Sequence, residues 1–106
     1  MSFYKLAVYV PETDADAVRK AIGEAGGGRL GNYSFASFSV KGTGRFKPEA
    51  GARPAIGEAG RLEEVAEERI ETVCTSEKLQ DVVSAIRAVH PYEKPAIETW
   101  PLEIPR

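Results

Sequence analysis

The side chains able to do chemistry are concentrated in one short run, His90-Pro91-Tyr92-Glu93-Lys94-Pro95-Ala96. It holds the only histidine of the chain and a carboxylate three residues further on. A neutral imidazole and a carboxylate are both acceptable ligands for zinc or copper, and imidazole alone among unperturbed side chains titrates near neutrality. His90 and Glu93 are therefore the candidate metal ligands, and His90, Tyr92 and Glu93 the candidate ligand contacts. A zinc site needs several donors. One histidine and one cysteine do not build a conventional site within a single chain, so any metal here would draw its remaining ligands from partner subunits or water. The plainer alternative is structural. Proline disfavours helix in the residue before it, which places a helix end at Val89 or His90. His90 would cap that end, whose partial negative charge favours a protonated imidazole, and Tyr92 would pack beneath the corner.

Elsewhere the chemistry is sparse. Cys74 reads as a small buried hydrophobe. Gly26-Gly27-Gly28 follows a helical pattern and does not open one, and no Gly-Lys-Ser/Thr is present, so neither a dinucleotide fingerprint nor a phosphate loop is encoded. Those glycines read as turns. The pairs Glu63-Glu64 and Glu67-Glu68 read as solvated faces. No catalytic residue is assigned and the chain is read as non-enzymatic.

The elements that must position the His-Pro corner are read from periodicity. Phe3 to Val10 is a strand with Tyr4, Leu6, Val8 and Val10 on one face, ended by Pro11. A helix near 14–26 carries Ala15, Val18, Ile22 and Ala25 at helical spacing, capped at Thr13 or Asp14. Asn32 to Val40 is the next strand candidate, of mixed phase, with a bulge as one remedy. A turn near Lys41-Gly42 would lead to a short returning strand over Thr43 to Lys47, and the rest of 41–64 would be a long loop, a kind often functional or interfacial. Val65 to Cys74 alternates as a half-buried strand. A helix near 76–90, capped by Ser76, shows the stripe Leu79, Val82, Val83, Ile86 and Val89. Ala96 to Leu102 is a last strand whose Pro101 suits an edge or terminus. The order β-α-β-β-α-β predicts an α+β, ferredoxin-like antiparallel sheet with two helices on one face.

Such a fold leaves the other sheet face bare. Tyr9, Tyr33 and Phe35 place large apolar area somewhere, and an uncovered patch of that kind marks an interface. Self-association supplies the simplest partner. Length and composition agree with one modest domain: 106 residues, 42% hydrophobic and 28% charged. A net charge of −2 with scattered basic residues gives no nucleic-acid footprint. One cysteine fits a reducing compartment, and no apolar run reaches membrane-spanning length, so a cytoplasmic location without membrane contact is expected.

Two resemblances follow. Leu79 through Ile97, with Val89-His90-Pro91-Tyr92-Glu93-Lys94-Pro95-Ala96, looks like the C-terminal part of the CutA family, and Val8-Tyr9-Val10-Pro11 is similar to that family's start. A closer likeness runs through most of the chain. Gly31-Asn32-Tyr33, Gly42-Thr43-Gly44-Arg45-Phe46-Lys47-Pro48, Ile56-Gly57-Glu58-Ala59-Gly60-Arg61-Leu62-Glu63 and Glu68-Arg69-Ile70-Glu71 resemble the inserted CutA/PII-like domain of the NIF-three-like (YqfO-like) family. The second resemblance implies a stand-alone domain over 1–106, without the dinuclear metal centre carried on that family's flanking domains. The CutA resemblance implies a trimeric ferredoxin-like protein, linked to divalent-metal tolerance, with His90 at the matching His-Pro-Tyr motif. Val10 stands where that family carries a cysteine.

The reading that results is a homo-oligomeric binding or regulatory module, trimer first and dimer second, with no resident cofactor. Its ligand-binding candidates are His90, Tyr92, Glu93 and Tyr33. The alternative is a divalent-metal-binding protein using His90 and Glu93 at a subunit interface. A third reading is a small enzyme with a pocket between subunits.

Overall fold

Alternation along the first strand, β1 (Phe3–Pro11), sends Leu6, Val8 and Val10 inward, where all three are fully buried. This holds in a computed structural model that describes residues 2–105. A 3-10 turn over Glu12–Asp14 leads into helix α1 (Ala15–Glu24). Asp14 occupies the N-cap position without a side-chain capping bond. The glycine run ends the helix in a Schellman arrangement: Gly27 N–H reaches the Ile22 carbonyl at 2.9 Å and Gly26 N–H the Gly23 carbonyl at 3.2 Å. Gly26 takes φ 101°, a conformation that a β-carbon would penalise.

The remaining elements are β2 (Phe38–Phe46), β3 (Glu63–Thr75), α2 (Leu79–Val89) and β4 (Ile97–Leu102). The sheet order is β2-β3-β1-β4, and each neighbouring pair is antiparallel. This is the ferredoxin-like arrangement expected from the element order. β4 is an edge strand, where Pro101 is tolerated. Val18 and Ile22 of α1 and Val82 and Ile86 of α2 close over Leu6, Val8, Val10, Ile70 and Cys74. Each large aliphatic so buried contributes roughly 1.5–3 kcal/mol over an exposed one. No helix among the described residues is long and apolar enough to cross a membrane.

Three expectations are corrected. The Asn32–Val40 strand does not form; β2 starts at Phe38. Phe35, at φ 60°, breaks the extended backbone, and its ring lies against α1 at Gly23. There is also no turn at Lys41-Gly42. β2 runs through both residues in unbroken register, from Phe38 opposite Glu71 to Phe46 opposite Glu63. Gly42 and Gly44 are mid-strand, and the chain reverses only over 47–62. Finally, Ser76 does not cap α2. Lys78 N–H closes a turn onto the Thr75 carbonyl at 3.1 Å, the Ser76 N–H bonds Ser2 at 3.0 Å, and the helix opens at Leu79. The α2 stripe is as read up to Ile86, but Val89 at its end is 40% exposed.

No helix among the described residues covers the sheet face opposite α1 and α2, and that face is exposed toward β2 and β4. Register puts Phe38 and Val40 of β2, Glu67, Arg69 and Glu71 of β3, Ala7 and Tyr9 of β1, and Trp100 of β4 on it. Phe38 is 66% exposed, Val40 50% and Trp100 37%.

Candidate functional site

His90 is the C-cap of α2 and turns extended at φ −72°, ψ 133°, as Pro91 requires. Its ring is buried. Nε2 lies 2.7 Å from the Tyr9 carbonyl oxygen, and Nδ1 lies 3.1 Å from the Tyr92 backbone nitrogen. A carbonyl only accepts and a backbone N–H only donates, so the tautomer is fixed: Nε2–H donates to Tyr9 and Nδ1 accepts from Tyr92. Both ring nitrogens are thus committed to bonds with the chain's own backbone. The contact has a clear structural origin. Tyr9 N–H bonds the Ala96 carbonyl at 3.2 Å, so its C=O also points to the β4 side, just past the last ladder pair, Val8 with Ile97. His90 supplies the donor that β4 does not.

Tyr92 is aimed by the same bond. Its ring sits 5.1 Å from that of His90 and edge-on to Phe46 at 5.7 Å. Its hydroxyl donates to Glu67 Oε2 at 2.8 Å. Burial, and after it the bond to Glu67, pushes the phenol well above its ordinary pKa.

Glu67 and Glu68 are not solvated; each is only 8% exposed. They point to opposite faces and are held differently. Glu68, on the helix side, meets Arg19 of α1 at 2.6 Å, and Arg19 also holds Asp16 at 2.6 Å and Ser39 at 3.0 Å. Glu67, on the open face, receives only the neutral Tyr92 hydroxyl. Gly44 makes room for it: a β-carbon there would overlap the Glu67 carboxylate.

These groups form the floor of a cleft of about 480 Å³ on the open face, at the end of the sheet. The size suits a small molecule. Tyr9, Phe46, Tyr92 and Ala96 line its inner side, and Pro48, Pro54 and Ile56 of the 47–62 segment form the far wall. Glu93 also borders it and accepts the Arg53 backbone N–H at 3.0 Å, which ties the corner to that segment. Of the residues singled out in the sequence, Tyr92 and Glu93 come to the cleft. His90 lies behind it as the pin for Tyr92. Tyr33 lies outside its lining, 77% exposed in the 30–36 segment, where it bridges Leu30. Among the described residues no three His, Cys, Asp or Glu side chains gather as a metal cluster. Glu67, Gly44 and Phe46 were not anticipated. The available signal was Gly42-x-Gly44 ahead of an alternating acidic strand: two glycines on one strand face leave a trough that a facing carboxylate can fill.

No family model matches the chain. A protein of Halalkalibacterium halodurans named GTP cyclohydrolase 1 type 2 homolog is 52% identical over 101 residues, which is 95% of this chain and 27% of that protein. The chain therefore spans about a quarter of the length of the curated relatives it matches. Among solved structures, a Bacillus cereus protein related to NIF3 superposes with a TM-score of 0.84 at 43% identity, over 97% of this chain and 26% of that one. CutA from Archaeoglobus fulgidus, described as a periplasmic divalent cation tolerance protein, gives a TM-score of 0.68 at 19% identity, over 98% of this chain and 87% of that one. The likeness read in the sequence is thus borne out: to one portion of NIF3-related proteins in both sequence and structure, and to CutA in fold.

Proposed function

We propose that the chain is a non-enzymatic, homo-oligomeric binding or regulatory module, trimeric in the first instance, with its bare sheet face as the subunit interface and the Glu67–Tyr92 cleft as its ligand site. The observation that carries this reading is the open face. Phe38, Val40 and Trp100 expose apolar area beside Tyr9, whose ring Arg69 overlies at 5.7 Å. Arg69 Nε is buried without an aligned acceptor, although a Glu71 oxygen lies 3.1 Å away. A sheet face with both features is built to be covered. The CutA likeness supports the ferredoxin-like frame of this proposal. The enzyme name carried by the curated relatives belongs to proteins of which this chain matches 27%, and its activity is not assigned to this portion.

His90 acts in this reading as a pin. A metal at either ring nitrogen would have to displace a bond already made. The oligomer is tested by sedimentation velocity on the wild-type chain and on Phe38→Glu at micromolar concentration. The expected result is a wild-type assembly that falls apart in the variant, since a charge on a buried interface face is uncompensated. A wild-type monomer would overturn the reading.

A further inference from the structure

Buried carboxylates are normally paired with a cation. Glu68 follows that rule and its neighbour Glu67 does not. No Lys, Arg or His nitrogen lies within 4.0 Å of Glu67 among the described residues. One oxygen takes the Tyr92 hydroxyl; the other, Oε1, packs over Gly44 with no hydrogen-bond partner among the described residues, and Glu67 belongs to the lining of the cleft. The chain holds this unpaired charge in place with a glycine on one side and a phenol on the other. The cleft above it is walled by aromatic and aliphatic side chains.

We propose that the cleft binds a small organic cation, a primary ammonium or guanidinium carried on an apolar body, with Glu67 as its counter-charge. This rests on the cleft being the ligand site of the module. An N–H of the cation donates to Oε1, while Phe46 and Tyr92 in the lining offer its body an aromatic, cation–π surface; the Tyr9 ring, also in the lining, already carries Arg69 on one side. An anion fits less well. Of the basic groups in the lining, Arg45 and Lys47 are paired, with Glu64 at 3.4 Å and Glu49 at 3.5 Å, while Lys94 makes no ion pair among the described residues. An anion drawn to Lys94 would still share the cleft with the carboxylates of Glu49, Glu67 and Glu93. A metal ion fits poorly as well, because both His90 nitrogens are used and no three-donor cluster is present among the described residues.

The test is an amide-resolved NMR titration of the intact chain at pH 7 with three probes of equal shape: phenethylamine, phenethyl alcohol and phenylacetate. The amine should shift Gly44, Phe46 and Tyr92 and saturate, with the alcohol and the acid at least tenfold weaker. Glu67→Gln should weaken the amine at least tenfold, to the level of the alcohol, and Gly44→Ala should do the same by displacing the carboxylate. Equal binding of amine and alcohol, preference for phenylacetate, or amine binding unchanged in Glu67→Gln would each overturn the proposal. The three-probe comparison on the wild type decides the matter even where a variant fails to fold. Sedimentation of the same samples separates this proposal from the oligomer. An assembly indifferent to all three probes sinks the cation site alone, and a monomer that selects the amine sinks the oligomer alone. If Glu67→Gln abolishes association and the wild type ignores the amine, a neighbouring copy supplies the cation and the proposal is wrong.

Discussion

Replacing His90 with alanine removes two hydrogen bonds at once and tests whether the imidazole is a pin or a ligand. The Tyr9 carbonyl loses its donor at 2.7 Å and the Tyr92 N–H its acceptor at 3.1 Å. Leaving a buried group unsatisfied costs about 1–3 kcal/mol. The Tyr92 N–H lies at the corner and regains part of that from water, and the contact of the two rings is also lost. The expected sum is about 2–4 kcal/mol. That exceeds the 0.5–2 kcal/mol expected of an ordinary capping residue, because His90 completes a sheet edge as well as a helix end. Urea denaturation at fixed chain concentration reads the change. With m about 1–3 kcal/mol/M, the midpoint should fall by at least about 0.7 M at unchanged m. Calorimetric titration of zinc and copper into both proteins should show no tight site that depends on His90. A stability loss below about 0.5 kcal/mol, or tight metal binding abolished by the substitution, would refute the pin.

Tyr92→Phe should change the alkaline limb of stability. The folded phenol holds its proton more tightly than the unfolded one, so its contribution is complete below pH ~10 and is lost as pH rises beyond it. The variant should lose less stability than wild type between pH 10 and 12 by circular dichroism; parallel curves would contradict the Glu67 contact. Cys74 is buried, and burial pushes its thiol up, so a disulfide reagent at pH 8 should react only as the chain unfolds; fast labelling of the native protein would refute this. Arg19→Met strands Glu68 and should cost about 1–3 kcal/mol, discounted for the partial exposure of Arg19. A change within 0.5 kcal/mol in the same denaturation assay would show the pair to be superficial.

The parts of this molecule legible in the sequence are those where one period dominates. Leu6, Val8 and Val10 alternate against a buried helix layer, and Val18 with Ile22 and Val82 with Ile86 keep helical spacing, so the strand–helix frame and its fold class followed directly. The His-Pro corner was legible because proline restricts its own backbone and the residue before it. What stayed hidden depends on partners distant in sequence. Gly42 and Gly44 read locally as a turn, since nothing near them shows that Glu67, on another strand, fills the space they leave. Glu67 and Glu68 read as solvated for the same reason: their burial comes from Tyr92 and Arg19, at separations of 25 and 49 residues. Tyr33 and Phe35 read as strand residues because their side chains suit one, while the positive φ at Phe35 is set by packing against α1.

Small-angle scattering of the chain at tens of micromolar tests the central claim, that the open sheet face is covered by further copies, most directly. One chain has a radius of gyration of 14.7 Å. Size scaling puts a compact three-copy assembly at about 20 Å. A value near 20 Å, with forward scattering of three chains, is the expected result. A value within about 1 Å of the single-chain radius, with forward scattering of one chain, would contradict it.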